Sequence, residues 1–501
     1  MPARRVHDLV RQSIWIGTAI SLALLSTTLS SCSQGSNSSG EQTSNGSSGA
    51  PDNQQLQWTK SNEKQLLDAI AQAPANGLKP DLFLNGELPK DEGQRFSALT
   101  RAALGYAQAL AHGYADPRKI SQVYTIPRPS GDVEQGLTQA LQQGTVAQWL
   151  ASLPPQTDEY RELSKAHLAY LEMAAHTNFQ QIPDGPAIKP GSRDQRIPIV
   201  VAALRSVNYL PPAEQNAAAA SHYSRGLVSA IKQLQTDFGI KSDGIIGNTT
   251  LDALNLGPGG RARMLAIAME RLRWLDRKPP DTRIDVNTAA TLLDYWRDGQ
   301  HIDHREVVAG EPDKQTPQIQ APIYQLVANP KWRVPDSIVD KELKEKTPQW
   351  LQENQFTIED GKYVQESGPK NSLGLTKFDM DDPQQIYLHD TPAKALFALP
   401  ERHRSHGCVR VQNAIGLAQM LAQQDGVLDQ YDQAMARGNE SYVKLKTRIP
   451  VRLLYHTAYW DGSRIQFRPD VYGWDQDVGK ALGLVRGPAV RPVEQGQDIG
   501  P

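Results

Sequence analysis

The spacing of apolar residues changes along this chain from a helical period to a strand period, which limits the fold. Between residues 58 and 190, three long segments place apolar residues at i, i+3, i+4 and i+7, as one face of a helix requires. After residue 282, apolar and polar residues alternate in short runs, as at Ile284 and Val286, which is typical of strands. A chain of 501 residues is too long for one core. The sequence predicts a multidomain α+β protein with a helical scaffold domain over 58–190 and a mostly β domain over 282–457.

A second helical region is predicted over residues 195–257. One face of its clearest helix carries Leu227, Ile231, Leu234 and Phe238. Gly239 follows, where a helix often ends on a left-handed residue. The stretch SDGIIGNTTLDALN predicts a glycine-containing turn and a new helix capped by Asn248 or Thr249. The region resembles the small three-helix peptidoglycan-binding domain of cell-wall enzymes. Glycan binding and a purely structural packing role both remain open for it.

The first 32 residues have the layout of a secretory signal peptide. Three arginines precede an apolar stretch at 14–25, and small residues follow. The segment ends in Leu29-Ser30-Ser31-Cys32, which resembles a lipobox, whose cysteine is lipidated; an ordinary signal peptide with a chance cysteine is the alternative. Residues 33–57 are rich in Ser, Gly and Asn, and they predict a flexible tether. We expect a periplasmic envelope lipoprotein whose membrane anchor is Cys32, and Ser33 favours the outer membrane.

Net charge and cysteine content limit the classes of function that the sequence allows. The net charge is −2 and the pI is about 6.6, so the sequence predicts no nucleic-acid partner. The chain has two cysteines, and if Cys32 carries lipid, Cys408 has no partner for a disulfide within the chain. Cys408 lies in the polar stretch SHGCVRVQN instead of among apolar residues. This setting predicts a reactive thiol, with a buried small hydrophobic residue as the alternative.

Two histidines could accept the proton of this thiol. His389 lies in the strand-like segment QIYLHD, 19 residues before Cys408, a separation that allows both residues to lie on adjacent strands. His406 is only two residues from Cys408, and side chains at i and i+2 of an extended chain need not converge. The sequence predicts Cys408 as the nucleophile and His389 as the general base.

These motifs together resemble the catalytic signature of the L,D-transpeptidases with the YkuD-type fold. The resemblance rests on IYLHDT followed by SHGCVRV, and on the order of helical scaffold, peptidoglycan-binding domain and β domain, which is that of the large periplasmic branch. It implies a catalytic domain over 282–457 with an inserted capping region at about 336–366, followed by a C-terminal extension over 458–501. It also assigns the base to His389. Asp390 is a departure, because many smaller members have glycine after this histidine.

Further site residues are predicted around the thiol. Gly407 can adopt a positive φ and lets the backbone approach a substrate, so the amides of His406, Gly407 and Cys408 are predicted to stabilise an oxyanion. The backbone carbonyl of Ser405 is expected to orient the imidazole of the base. Arg410 is predicted to bind the carboxylate of a stem peptide, with a structural ion pair as the alternative. Tyr387 is a second predicted substrate-binding residue.

The resemblance implies a cysteine-dependent L,D-transpeptidase that forms 3→3 cross-links in peptidoglycan and releases terminal D-alanine. Its predicted partners are peptidoglycan stem peptides and glycan, and possible cell-wall synthesis enzymes. No metal or organic cofactor is predicted. Three alternatives remain open: a hydrolase of the same fold, a non-catalytic wall-tethering lipoprotein, and a zinc site formed by His403, His406 and Cys408.

Overall fold

The computed structural model of the protein describes residues 57–210 and 221–487. The predicted signal peptide, the lipobox with Cys32, and the tether up to residue 56 lie outside the described residues. Within the described ranges, no helix combines the length and apolar character needed to cross a membrane.

The first part of the chain is helical, and polar side chains cap several of its helices. The helices before residue 180 are α1 (Lys60–Ala71), α2 (Glu92–His112), α3 (Val133–Gln143), α4 (Val146–Ser152) and α5 (Asp158–His176). The hydroxyl of Thr59 accepts a hydrogen bond from Asn62 N at the start of α1, and Thr157 does the same for Tyr160 N at the start of α5. Leu66, Leu99, Leu110 and Leu137 belong to the shared core of α1 to α4.

The region that resembles a peptidoglycan-binding domain forms three short helices, α6 (Ile197–Arg205), α7 (Arg225–Asp237) and α8 (Asn248–Asn255). Gly239 has φ +62°, the left-handed conformation predicted after α7. Gln235 holds the following turn, because its side chain accepts from Gly244 N at 2.8 Å and donates to Ile245 O at 2.9 Å. The predicted cap of α8 was wrong: Gly247 occupies the cap position and Asn248 is the first helical residue.

Helix α9 (Gly257–Trp274) is buried along most of its length and contacts α2 and α5. Its C-terminal part contains Glu270, which is fully buried and lies 2.5 Å from the guanidinium of Arg273. The same carboxylate accepts hydrogen bonds from Trp274 Nε1 at 3.0 Å and from Ala115 N at 2.8 Å. A single buried carboxylate therefore joins α9 to the segment that follows α2.

We expect Glu270→Ala to destabilise the protein by about 3–5 kcal/mol, because the replacement leaves the buried Arg273 charge without its carboxylate. The free energy of unfolding can be compared with that of wild type by denaturant titration. Glu172→Ala, on the exposed surface of α5, is the matched control and should change it by less than about 0.5 kcal/mol. Equal effects of the two replacements would contradict the structural role given to Glu270.

The part after residue 282 is built on one large sheet. Its strands are β1 (Arg283–Asn287), β2 (Leu292–Arg297), β3 (Gln300–Gly310), β4 (Gln320–Ala328), β8 (Thr376–Met380), β9 (Leu388–His389), β10 (His403–Ser405), β11 (Val409–Val411) and β12 (Ser441–Leu454). The strand order is β10-β3-β11-β9-β8-β4-β12-β1-β2, and β2 also pairs with β3, so the sheet closes on itself. Helices α12 (Ala414–Gln424) and α13 (Leu428–Ala436) contribute Leu417, Leu421 and Tyr431 to its core. The multidomain α+β prediction is confirmed.

A separate small unit interrupts this sheet between β4 and β8. It contains a three-stranded sheet of β5 (Trp332–Arg333), β6 (Phe356–Glu359) and β7 (Lys362–Gln365), with the short helices α10 (Asp336–Ile338) and α11 (Pro348–Glu353). A π-helical turn, Val339–Leu343, follows α10. The apolar cluster of this unit includes Trp332 and Leu343, and Tyr387 packs against it. The inserted unit therefore lies beside the segment that leads into His389.

The last described segment packs back onto the helical part. It forms β13 (Ala458–Trp460), β14 (Ile465–Phe467) and α14 (Trp474–Ala481). The ring of Phe467 stacks on Phe238 with centroids 5.0 Å apart. Asp475 forms a buried ion pair with Arg271 of α9 at 2.5 Å. The buried ion pair and the stacked rings attach this segment to the helical core.

Candidate active site

Strands β9 and β11 bring the two predicted reactive residues to neighbouring positions in the sheet. They pair in parallel, with Leu388 opposite Val409 and His389 opposite Arg410. Val409 N donates to Tyr387 O at 3.1 Å, so Cys408 enters β11 beside the end of the Tyr387 segment. The 19-residue separation between His389 and Cys408 therefore spans a crossover between adjacent strands.

The turn before the thiol is fixed by hydrogen bonds. Gly407 has φ +117°, a conformation that favours glycine. Ser405 Oγ donates to Cys408 O at 2.5 Å and accepts from Gly407 N at 3.2 Å. Thr316 Oγ1 donates to Gly407 O at 2.9 Å. Sequence reasoning missed Thr316, because it lies in a loop far from the motif in sequence. The Gly407 amide is already bonded to Ser405, which corrects the prediction that it faces an oxyanion.

The thiol of Cys408 is nearly enclosed. Its exposed fraction is 7%, and Sγ lies 3.9 Å from Gln385 O. Burial raises the pKa of the Cys408 thiol to about 11, and a hydrogen bond from Tyr387 and the positive charge of Lys377 only partly oppose this shift. The thiol is therefore protonated at neutral pH. Predicted residue Tyr387 lies in direct contact with it.

The imidazole of His389 is fully buried and has one nitrogen available. Nδ1 lies 2.5 Å from Asp390 O, while Nε2 makes no hydrogen bond of good geometry with the described residues. A second backbone carbonyl, that of Leu373, lies near enough to the ring to oppose the lowering of its pKa. Burial, with the nearby charge of Arg410, lowers the pKa of His389 to about 3, so the ring is neutral at physiological pH. The predicted orienting role of the Ser405 carbonyl was wrong: Ser405 O instead accepts from Glu311 N at 2.9 Å.

Asp390, the departure from the smaller family members, supports the loop around the base. Its Oδ2 accepts from Leu375 N at 3.0 Å, and its other oxygen pairs with Lys394. Gly374 allows this approach, since a Cβ there would lie 2.4 Å from the carboxylate. The side chain of Asp390 thus fixes the backbone whose carbonyl orients His389.

The imidazole of His406 is directed towards the inserted unit. Its Nε2 bonds Glu342 Oε1, which lies in the π-helical turn, and Lys314 lies 3.4 Å from the same carboxylate oxygen. Sequence reasoning missed Glu342 because its helix-prone, charged surroundings resemble an ordinary exposed surface. The contact connects the inserted unit to the loop that carries Cys408.

Two cations flank the reactive pair, and they differ in accessibility. The side chain of Arg410 is only 1% exposed, which favours the structural alternative over direct contact with substrate. Lys377 is 23% exposed, lies 4.5 Å above the Tyr387 ring and pairs with Asp379 at 2.7 Å. Sequence reasoning did not single out Lys377. Its strand, β8, pairs with β9, and Lys377 lies opposite His389.

The residues of the zinc alternative do not converge. His403 Nδ1 lies 2.5 Å from Glu401 Oε1 and its Nε2 lies 2.8 Å from Thr288 O. The imidazole of His406 is directed to Glu342. Both nitrogens of His403 are thus occupied by protein acceptors, and this group offers no common position for an ion.

Comparison with known families agrees with this architecture. Residues 281–443 match the family model of the YkuD L,D-transpeptidase catalytic domain, residues 50–166 match a scaffold domain, and residues 193–254 match a "Putative peptidoglycan binding domain". The chain contains a YkuD-type L,D-transpeptidase catalytic domain together with a peptidoglycan-binding domain, which confirms the resemblance.

Individual relatives show similarity over part of the chain. A curated protein of Haemophilus influenzae named "Putative L,D-transpeptidase" is 29% identical over 243 residues, which are 43% of this chain and 49% of that protein. The chain thus spans about half the length of this relative. An L,D-transpeptidase structure from Mycobacterium smegmatis is 14% identical over 34% of this chain and 58% of that one, with a TM-score of 0.19. A mutant L,D-transpeptidase from Enterococcus faecium is 12% identical over 45% and 82%, with a TM-score of 0.18.

Proposed function

We propose that this protein is a cysteine-dependent L,D-transpeptidase of the cell envelope that forms 3→3 cross-links in peptidoglycan. The observation that carries the proposal is the pairing of β9 with β11, which sets His389 beside the strand that begins after Cys408. The base has Nδ1 fixed by Asp390 O and Nε2 without a hydrogen bond of good geometry to the described residues. An imidazole held in this way is arranged to accept a proton through Nε2.

Both reacting groups are neutral in the resting state, so proton transfer accompanies attack. Sγ of Cys408 attacks the carbonyl between the third stem residue, an L,D-diamino acid such as meso-diaminopimelate, and terminal D-alanine. The thiol proton passes to His389 Nε2 and then to the departing amine, and D-alanine leaves. A side-chain amine of a neighbouring stem then attacks the thioester, gives up a proton through His389, and restores the thiol.

The oxyanion formed during attack needs amide donors near Cys408. Because the Gly407 amide is bonded to Ser405 Oγ, we assign the contact to the amides of His406 and Cys408. Each preorganised donor of this type typically lowers the barrier by about 3–4 kcal/mol. Thr316 contributes indirectly, since its bond to Gly407 O holds the turn that presents these amides.

Charge near the thiol suits a substrate rich in carboxylates. Lys377 is more exposed than Arg410 and lies over Tyr387, which contacts Cys408. We therefore assign the substrate carboxylate to Lys377, with Tyr387 beside the scissile bond. Arg410 contributes positive charge from its buried position next to His389.

His406→Ala should slow acylation by less than about tenfold, because the side chain bonds Glu342 and the proposed catalytic contribution is a backbone amide that alanine retains. The measurement is the rate of adduct formation with a carbapenem, whose strained lactam carbonyl resembles the donor amide. Glu342→Ala is the matched variant and should cause a loss of similar size, since it breaks the same contact. A loss of about 10²-fold or more in His406→Ala alone would reassign the base.

Muropeptide analysis tests the proposed reaction against hydrolysis. Purified sacculi rich in tetrapeptide stems are incubated with the protein and then digested for mass spectrometry. The proposal expects new 3→3 dimers together with free D-alanine. Tripeptides without dimers would identify a hydrolase of the same fold, and unchanged stems with bound protein would identify a wall-tethering protein.

We also propose a lipid anchor at Cys32, on the basis of the lipobox-like sequence and the glycine- and serine-rich stretch that follows. Cys32→Ala should leave the protein unprocessed or released from membranes, because no thiol remains to receive lipid. Fractionation of outer membranes after a high-salt wash measures this. Retention of Cys32→Ala in the washed membranes at the wild-type level would contradict the anchor.

A further inference from the structure

A cluster of three potential metal ligands lies on the hairpin formed by β2 and β3. Asp294 Oδ1 lies 2.7 Å from His301 Nε2 and 2.8 Å from His304 Nδ1. One ligand atom from each side chain lies within 4.8 Å of the others. The side chains are 34%, 43% and 50% exposed in that order, so all three can be reached from solvent. None of them takes part in the site around Cys408.

A β-bulge explains why these side chains share one face. Asp294 pairs directly with His304, so both point to the same side of the hairpin. In a regular strand His301, three residues before His304, would point to the opposite side. The register shifts between Tyr295 and Trp296, and His301 then lies opposite Trp296 instead of Arg297. The extra residue turns His301 back to the face of Asp294.

We propose that Asp294, His301 and His304 bind a divalent transition-metal ion, with Zn²⁺ the best match to two imidazoles and one carboxylate. Tetrahedral Zn²⁺ with bonds of about 2.0–2.1 Å separates its ligand atoms by about 3.3 Å. The two nitrogens therefore need to move away from Asp294 Oδ1 by roughly 0.5 Å, which small rotations of exposed side chains allow. Metal binding replaces the imidazole protons that now face the carboxylate.

The surroundings of the cluster favour a cation and leave room for a water ligand. Two further carboxylates, those of Asp303 and Glu306, lie on β3 on either side of His304. Asp294 also lines a cavity of about 610 Å³ between the helical part and the edge of β1 and β2, whereas His301 and His304 face solvent outside it. Three protein ligands plus one open position describe a site that a fourth ligand from solvent completes.

Zinc binding is tested on the full chain carrying Cys408→Ala, with any remaining thiol alkylated, so that no cysteine competes for metal. Equilibrium dialysis against a chromogenic chelator should give one Zn²⁺ per chain. His301→Ala and His304→Ala should each weaken binding by at least about 10-fold, since the loss of even an outer-shell group typically costs 10–100-fold. His176→Ala, an exposed histidine on α5, is the control and should bind as the parent does.

A second measurement of metal binding requires no substitution in the β2–β3 hairpin. Co²⁺ added to the same chain should produce paramagnetically shifted imidazole N–H resonances from two histidines, and Zn²⁺ should displace them. No bound Zn²⁺ in dialysis, equal affinity in the two hairpin variants and the parent, or no shifted histidine signals would each overturn the proposal.

Discussion

Cys408→Ala is expected to lower cross-linking activity by at least about 10⁴-fold, because Cys408, just before β11, carries the only thiol of the described residues. The loss follows from the covalent step itself, since alanine cannot form the thioester. The measurement is the rate of 3→3 dimer formation on purified sacculi.

Binding of Cys408→Ala to sacculi provides the control for this loss. The region 193–254, which matches a peptidoglycan-binding domain, lies outside the sheet that carries the thiol. Pull-down with insoluble sacculi should therefore retain the variant as well as wild type. Cross-linking at more than about a tenth of the wild-type rate would show that Cys408 is not the nucleophile.

His389→Ala is expected to slow acylation by about 10²–10⁴-fold at neutral pH, the usual range for loss of a positioned general base. The pH dependence follows from the two shifted pKa values. With a His389 pKa of about 3, the imidazole remains unprotonated above about pH 4. Protonation of His389 should therefore cause no loss of wild-type activity between pH 7 and pH 5.

The pH dependence of acylation above about pH 8 distinguishes His389→Ala from wild type. A thiol with a pKa of about 11 is reactive only in the small thiolate fraction, which rises about tenfold per pH unit below that value. The rate for His389→Ala should therefore climb steadily between about pH 8 and 10. An acid limb near pH 6.5 in wild type that disappears in His389→Ala would contradict the neutral resting pair.

The neighbouring positions of the two proposed reactive residues could be predicted from the sequence, because the signals for them are local. Cys408 lies in a polar turn, and His389 lies on a strand-like segment at a distance that a crossover can span. The φ of Gly407 and the left-handed Gly239 follow from the same kind of reasoning, since few other residues adopt these conformations.

The contacts that orient these residues could not be predicted, because they depend on tertiary structure. Thr316, Glu342 and Lys377 come from distant segments that the sheet and the inserted unit bring to the site. The expected Ser405 carbonyl contact failed for a related reason: β10 runs beside β3, and its last carbonyl is taken by Glu311 N. Burial of Arg410 likewise depends on packing that residue spacing does not reveal.

The most direct test of the account is to locate the acyl group on the protein. The full chain is incubated with a carbapenem, and its intact mass and the masses of its peptides are measured. The account predicts one adduct per chain, on the peptide containing Cys408, that forms about 10²–10⁴-fold more slowly in His389→Ala. An adduct on any other residue, or equal rates in wild type and His389→Ala, would contradict it.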